Sequence, residues 1–114
     1  MLHCRPAEVN SLTSVVIITR GHQYDRLCLK SVIHSKACYI GMIGSSGKVR
    51  QTFQSLMAEG ISKKTLEKVS APIGLDLGGQ KPGEIALSIL AEIVAHGNEG
   101  SCKPMKYVKA GVLA

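Results

Sequence analysis

Five consecutive residues, Gly44-Ser45-Ser46-Gly47-Lys48, carry the most suggestive chemistry in the chain. Two glycines let the backbone approach an anion closely, two hydroxyls can donate to it, and a helix opening near Lys48 would present unpaired N–H groups. Such a set suits a phosphate. It matches neither named phosphate loop. The G-x-x-x-x-G-K-[ST] pattern needs Gly at 42 and Ser or Thr at 49, where Met42 and Val49 stand, and G-x-G-x-x-G occurs nowhere. The same residues can also be read as a plain turn and helix cap, and both readings stay open.

A second group, Thr19, Arg20, His22 and Asp25, brings a hydroxyl, a guanidinium, an imidazole and a carboxylate within seven residues. As a rim it can bind or orient a ligand. As plain structure, Arg20 and His22 are exposed loop residues and Asp25 favours the start of a helix through its dipole. No nucleophile–base pair can be assigned between loops of unknown separation. A third group, Asp76 with Gly78 and Gly79 ahead of Pro82, reads as a helix entry or a further ligand-facing loop.

These groups need elements to hold them. Thr13-Ser-Val-Val-Ile-Ile-Thr19 is a continuous β-branched run, which predicts a buried strand of a parallel sheet. Residues 24, 27, 28 and 32 are apolar at helical spacing, predicting a helix over 24–34. A second buried strand is expected over 36–43, broken by Gly44. A second helix is expected over 48–59, with Val49, Phe53, Leu56 and Met57 on one face and Gly60 as its stop. Ser62 caps a short helix. Ala71-Pro-Ile-Gly-Leu75 is too short for a long central strand, although its first residues can pair at a sheet position. Pro82 opens a last helix to about His96, ended by Gly97. Its apolar face is Ala86, Ile89, Leu90, Ile93 and Val94, and Glu84, Ser88, Glu92 and His96 form a polar ladder.

Strands alternating with helices imply an α/β fold with a parallel sheet, right-handed crossovers and helices on its faces. The expected architecture is a three-layer Rossmann-like sheet that is incomplete, the second half of a doubly wound domain, because three strands are countable where about six are usual. In such sheets ligands bind outside the carboxyl ends of the strands, where all three loop groups fall.

Composition narrows the function classes. The chain has 114 residues, 45% hydrophobic and 19% charged, enough for one domain with a core. The expected division is a Rossmann-like domain over 1–100 and a basic tail over 101–114. The formal charge is +6, half of it from Lys103, Lys106 and Lys109 in that tail. One Phe, three Tyr and no Trp, not interleaved with basic residues, speak against a stacking-based nucleic-acid binder. Four scattered cysteines and four histidines match no zinc spacing, and Cys28 and Cys38 are expected to be buried thiols. No apolar run approaches transmembrane length and no leader opens the chain, so a cytoplasmic location is expected and membrane association is not.

Four blocks resemble the XdhC/CoxI family, accessory proteins of xanthine dehydrogenase and related molybdenum hydroxylases. They are Thr-Arg-Gly-His-Gln-Tyr-Asp (19–25), Tyr-Ile-Gly-Met-Ile-Gly-Ser (39–45) with Lys48, Ala-Pro-Ile-Gly-Leu-Asp-Leu-Gly (71–78), and Glu84-Ile-Ala-Leu-Ser-Ile-Leu-Ala-Glu-Ile-Val-Ala95. The resemblance spans about residues 13–96 and implies the family's C-terminal Rossmann-like domain. It also implies a maturation factor more than a conventional enzyme, one that helps bind, sulfurate or insert the molybdenum cofactor (molybdopterin) of an apo-hydroxylase. The ligand-facing positions it implies are Thr19, Arg20, His22, Asp25, Gly44, Ser45, Lys48 and Asp76. An NAD(P)-binding oxidoreductase-like or nucleotide-sensing domain is the alternative, but the glycine-rich nucleotide loop of the family's first Rossmann half has no counterpart here. The two edges of a three-stranded sheet invite pairing, so a homo-oligomer is expected beside the hydroxylase partner.

Overall fold

The computed structural model describes residues 9–19 and 21–109. Ser14–Ile17 (β1) and Tyr39–Met42 (β2) pair in parallel, with Ser14 opposite Tyr39 and Ile17 opposite Met42. The third strand position is occupied by a single parallel bridge, Gly41 to Ser70, on the other side of β2. Ser70 donates to the carbonyl of Ile40 at 2.9 Å and accepts from Met42 at 3.0 Å, and Ile73 donates to the carbonyl of Met42 at 3.1 Å. The expected third strand is thus reduced to a bridge in a two-stranded sheet. A proline at 72, with no N–H to donate, and Gly74 at φ 100° stop it from extending.

His22–Val32 (α1) links β1 to β2, and Ser46–Ala58 (α2) with Lys63–Leu66 (α3) links β2 to the bridge strand. The strand positions advance in one direction across the sheet, so right-handed crossovers place α1 and α2 side by side on one face. There Leu29 and Val32 of α1, Val49 and Leu56 of α2, and Leu66 of α3 close on Ile17, Ile40 and Met42. Period-two alternation sends Tyr39 and Gly41 to the opposite face, which is covered by Pro82–Asn98 (α4). Helices on both faces of a parallel sheet make the incomplete Rossmann-like α/β arrangement that the alternation of elements implies.

Local signals set the helix ends. Ser45 Oγ accepts from Lys48 N–H at 3.3 Å and Ser62 Oγ from Thr65 N–H at 3.2 Å, satisfying donors that a first turn leaves orphaned. Gly60, just past α2, takes φ 101°, where a side chain would be strained.

Several expectations are corrected. The run 13–19 is not uniformly buried: Ile17 is buried, whereas Ser14 and Ile18 are exposed, because β1 is an edge strand. Tyr24 and Leu27 lie at the surface, and α1 buries Asp25, Cys28, Leu29 and Val32 instead. Cys38 is exposed ahead of β2, its thiol donating to the carbonyl of Thr13 at 3.3 Å, while Cys28 is buried as expected. The last helix runs through Gly97 to Asn98 and ends at Glu99 in the left-handed conformation, φ 54°.

The largest correction concerns the faces of that helix. Three members of its polar ladder face the domain: Ser88 is buried, Tyr39 Oη donates to Glu92 Oε1 at 2.5 Å, and His96 Nε2 donates to the carbonyl of Cys38 at 2.7 Å, while Glu84 is exposed and, of the expected apolar face, Ile89 is buried. Leu87, Leu90 and Val94 point outward. One more short helix, Met105–Val108 (α5), follows in the exposed basic segment. Among the described residues, no helix is long and apolar enough to cross a membrane.

Candidate functional site

Parallel pairing brings the three loop groups to one edge of the sheet. Ile43 N–H donates to the carbonyl of Ile17 at 3.0 Å, so the turn after β2 leaves beside the turn after β1. Ile73, tied to Met42, sets the segment leading to Asp76 on the other flank. All three start at carboxyl ends of strand positions, the edge where open α/β sheets take ligands.

Of the first group, Thr19 and Asp25 meet. The Thr19 hydroxyl makes a short hydrogen bond to Asp25 Oδ1 and lies 3.0 Å from the carbonyl of Gly21. Asp25 is buried, facing the first turn of α1. The pair therefore fixes the entry of α1. Arg20 and the side chain of His22 lie outside the described residues.

The second group opens outward. Ser45 is the N-cap of α2; Ser45, Ser46, Gly47 and Lys48 are all exposed, and Gly44 is half-buried beneath Val49. The first turn of α2 carries no acidic residue, and a side chain at Gly47 would meet nothing within 4 Å. The exposed head of α2, its helix dipole and Lys48 in the first turn are the groups here that could meet an anion, although the Lys48 N–H is already bonded to Ser45 Oγ. Asp76 stands apart: its Oδ1 accepts from Gly78 N–H at 3.2 Å, closing a local turn.

One part of this edge is not foreseen by the sequence. A cleft of about 400 Å³ runs from Ser46 along α2 to Pro72, lined by the apolar Val49, Phe53, Met57 and Leu66 and by the charged Arg50, Lys63 and Glu67. Phe53 and Met57 are legible as apolar helix positions, which assigns them to the core. Met57 is in fact exposed and Phe53 half-buried, because no long strand follows Pro72 to cover them. The signal available is the broken 71–75 segment: a strand that cannot extend leaves its neighbouring helix face open.

A further depression of about 520 Å³ lies at the opposite end of the strands, lined in part by Cys38, Ser70 and His96. The polar groups behind it already have structural work. Tyr39 and His96 form an edge-to-face ring pair at 5.6 Å, and burial, followed by the hydrogen bond to Glu92, pushes the Tyr39 phenol well above its ordinary pKa. No cluster of three or more His, Cys, Asp or Glu side chains among the described residues could hold a metal ion.

Comparison with known proteins agrees with this architecture. A family model described as the XdhC Rossmann domain matches residues 3–93. The chain belongs to the XdhC family. An Escherichia coli protein named YqeB is 33% identical over 79 residues, covering 69% of this chain and 14% of that protein. A Bacillus subtilis protein, named as a probable xanthine dehydrogenase subunit, is 27% identical over 81 residues, covering 71% of this chain and 22% of the relative. The E. coli "molybdenum cofactor insertion chaperone PaoD" is 27% identical over 101 residues, covering 86% and 32%. A crystal structure described as a xanthine dehydrogenase from Bacillus halodurans superposes with a TM-score of 0.65 at 26% identity, over 90% of this chain and 31% of that one. This XdhC domain thus spans less than a third of the length of these relatives.

Proposed function

We propose that this XdhC domain takes part in the maturation of a molybdenum hydroxylase by holding the phosphate-bearing pterin of the molybdenum cofactor. The observation that supports the reading is the juxtaposition at the head of α2. An exposed, acid-free helix N-terminus with Ser45, Ser46 and Lys48 opens directly into the apolar cleft beside Phe53 and Pro72. The donor set suits the phosphate, and the cleft offers the planar part of the ligand an apolar wall with the charged Arg50, Lys63 and Glu67 in its lining. When bound, the cofactor supplies the redox centre of the client enzyme; the residues named here only bind and orient it. Thr19 and Asp25 act by fixing the first loop. One relative is named for cofactor insertion and another for xanthine dehydrogenase, which supports the hydroxylase as the partner class.

The activation of an apo-hydroxylase tests the role. The proposal predicts that adding this chain with limiting cofactor raises the activity recovered, and that Lys48→Ala diminishes the gain. Recovery that is the same with and without the chain would exclude a maturation role. Among the described residues, the unpaired edge of β1 and the outward face of α4 are two surfaces open to the hydroxylase.

A further inference from the structure

We propose that the unpaired edge of β1, with Tyr24 and Leu27 of α1 beside it, is the docking surface for a strand–helix unit from outside this sequence, which adds a strand parallel to β1 and widens the sheet. The inference stands apart from the cofactor reading, because it uses no residue of the α2 cleft.

The backbone of β1 is only half used. Thr13 and Ile17 turn their carbonyls to the β2 side, accepting from Cys38 and Ile43 at 3.0 Å. Alternation then turns the N–H and C=O groups of Ser14, Val16 and Ile18 away from β2, where no strand among the described residues meets them. Exposed strand edges are ordinarily blunted by a charge, a proline or a bulge. The run Thr13-Ser-Val-Val-Ile-Ile-Thr19 has neither charge nor proline, its pairing with β2 runs in unbroken register, and Ile18 near its end is 66% exposed. The opposite margin of the sheet is closed, because Pro72 and Gly74 stop the bridge strand at Ser70 from extending.

The helix next to this edge is uncovered on the same flank. Arg26 and Lys30 of α1 reach Glu59 beyond α2, so that side of α1 faces α2. Tyr24 and Leu27 lie on the other half of the helix, toward the β1 margin, and are 54% and 49% exposed. A lone strand would pair the backbone groups and leave these side chains in water. A strand that carries its own helix covers both, since parallel strands are joined through helices that pack on the sheet. The family points to the same occupant. The chain matches a Rossmann domain, a sheet of about six strands in two halves, yet it supplies two strands and a bridge. Its relatives share less than a third of their own length with it, which leaves room in the remainder for such a unit. Doubly wound sheets take ligands where the two halves meet and the strand order reverses. An added strand therefore sets the Thr19–Asp25 loop, which leaves β1, at that point.

Co-expression of the full chain with a defined probe tests this. The probe is the Bacillus halodurans protein without the stretch that matches this chain. A one-to-one complex is expected, in which the amides of Val16 and Ile18 exchange with solvent roughly tenfold or more slowly than in the chain alone. Val16→Pro is expected to abolish the complex while keeping the wild-type circular dichroism, because that N–H lies outside the β1–β2 ladder. Leu27→Glu, at an exposed position, is expected to weaken it by roughly tenfold or more. No complex, or a complex that both variants retain, overturns the proposal. So does slow exchange at Val16 and Ile18 in the chain alone, equal to that at Val15 and Ile17, since the edge would already be covered. Slowing of these amides by an apo-hydroxylase and not by the probe overturns it as well.

Discussion

The hydroxyl of Tyr39, on the face of β2 away from the main core, donates to Glu92 of α4 at 2.5 Å. With Tyr39 buried and Glu92 half-buried, this bond is the principal polar pin between the sheet and the last helix. Removing the donor leaves a partly buried carboxylate without its partner, so Tyr39→Phe should cost about 1–3 kcal/mol. Urea unfolding checks the magnitude, and hydrogen exchange should show the loss concentrated in α4. The same bond sets a pH dependence. Burial raises the folded-state phenol above its ordinary value, so its stabilisation is complete below the unfolded pKa of about 10 and is lost as the pH climbs further. The wild type should therefore lose stability above about pH 10 relative to Tyr39→Phe, and the two should run parallel at neutral pH.

Gly41 is required by close approach. A Cβ there would collide with Ile73 Cδ1 and lie 2.8 Å from Tyr39 Oη. Gly41→Ala should destabilise by about 1–3 kcal/mol, the range for overpacking. Because the clash is chiefly with Ile73, adding Ile73→Val should recover part of the loss, which a double-mutant cycle in urea would measure as non-additivity.

Thr52 is fully buried in α2, and its Oγ1 has no hydrogen-bond partner among the described residues. Replacing the hydroxyl with a methyl of nearly the same shape removes a desolvated polar atom. Thr52→Val should raise stability by about 1 kcal/mol, read as an upward shift of the denaturation midpoint.

Glu59, after the end of α2, accepts from Arg26 at 2.7 Å and Lys30 at 2.8 Å of α1. Lys30 first, then Arg26, holds its carboxyl below the usual range. A lowered folded pKa gives stabilisation that is present above the ordinary carboxylate value and disappears as the pH falls through the lowered one. Glu59→Gln should be slightly less stable than wild type at neutral pH and low salt. The difference should vanish in acid or at high salt, because the pair is solvent-exposed.

Much of the frame is legible in the sequence because its signals are local. Ser45, Ser62 and Gly60 fix helix ends through caps and backbone conformation, and the alternation of apolar runs gives a parallel α/β order without any tertiary information. The faces of α4 are legible only in part: Ile89 is buried as its apolar spacing implies, whereas Leu90 and Val94 of the same expected face are exposed. Its sequence displays two clean stripes, but which one turns inward depends on Tyr39 and the Cys38 carbonyl offering polar partners across the sheet. Thr19 and Asp25 are legible as a polar group near a strand end, whereas their mutual hydrogen bond depends on where α1 begins, at His22 and not Tyr24. The cleft beside Pro72 depends on an interrupted third strand, a tertiary consequence that spacing along α2 does not display.

Whether the head of α2 and its neighbouring loop hold a phosphate-bearing pterin is tested most directly by equilibrium titration. Molybdopterin is titrated into wild type, Lys48→Ala and His22→Ala, with NAD(H) as the comparison ligand. Saturable binding of the pterin, weakened roughly tenfold or more by Lys48→Ala through loss of a charge-assisted contact, weakened also by His22→Ala, and stronger than any binding of NAD(H), is the predicted result. Pterin binding that is absent, or unchanged in both variants, would contradict it.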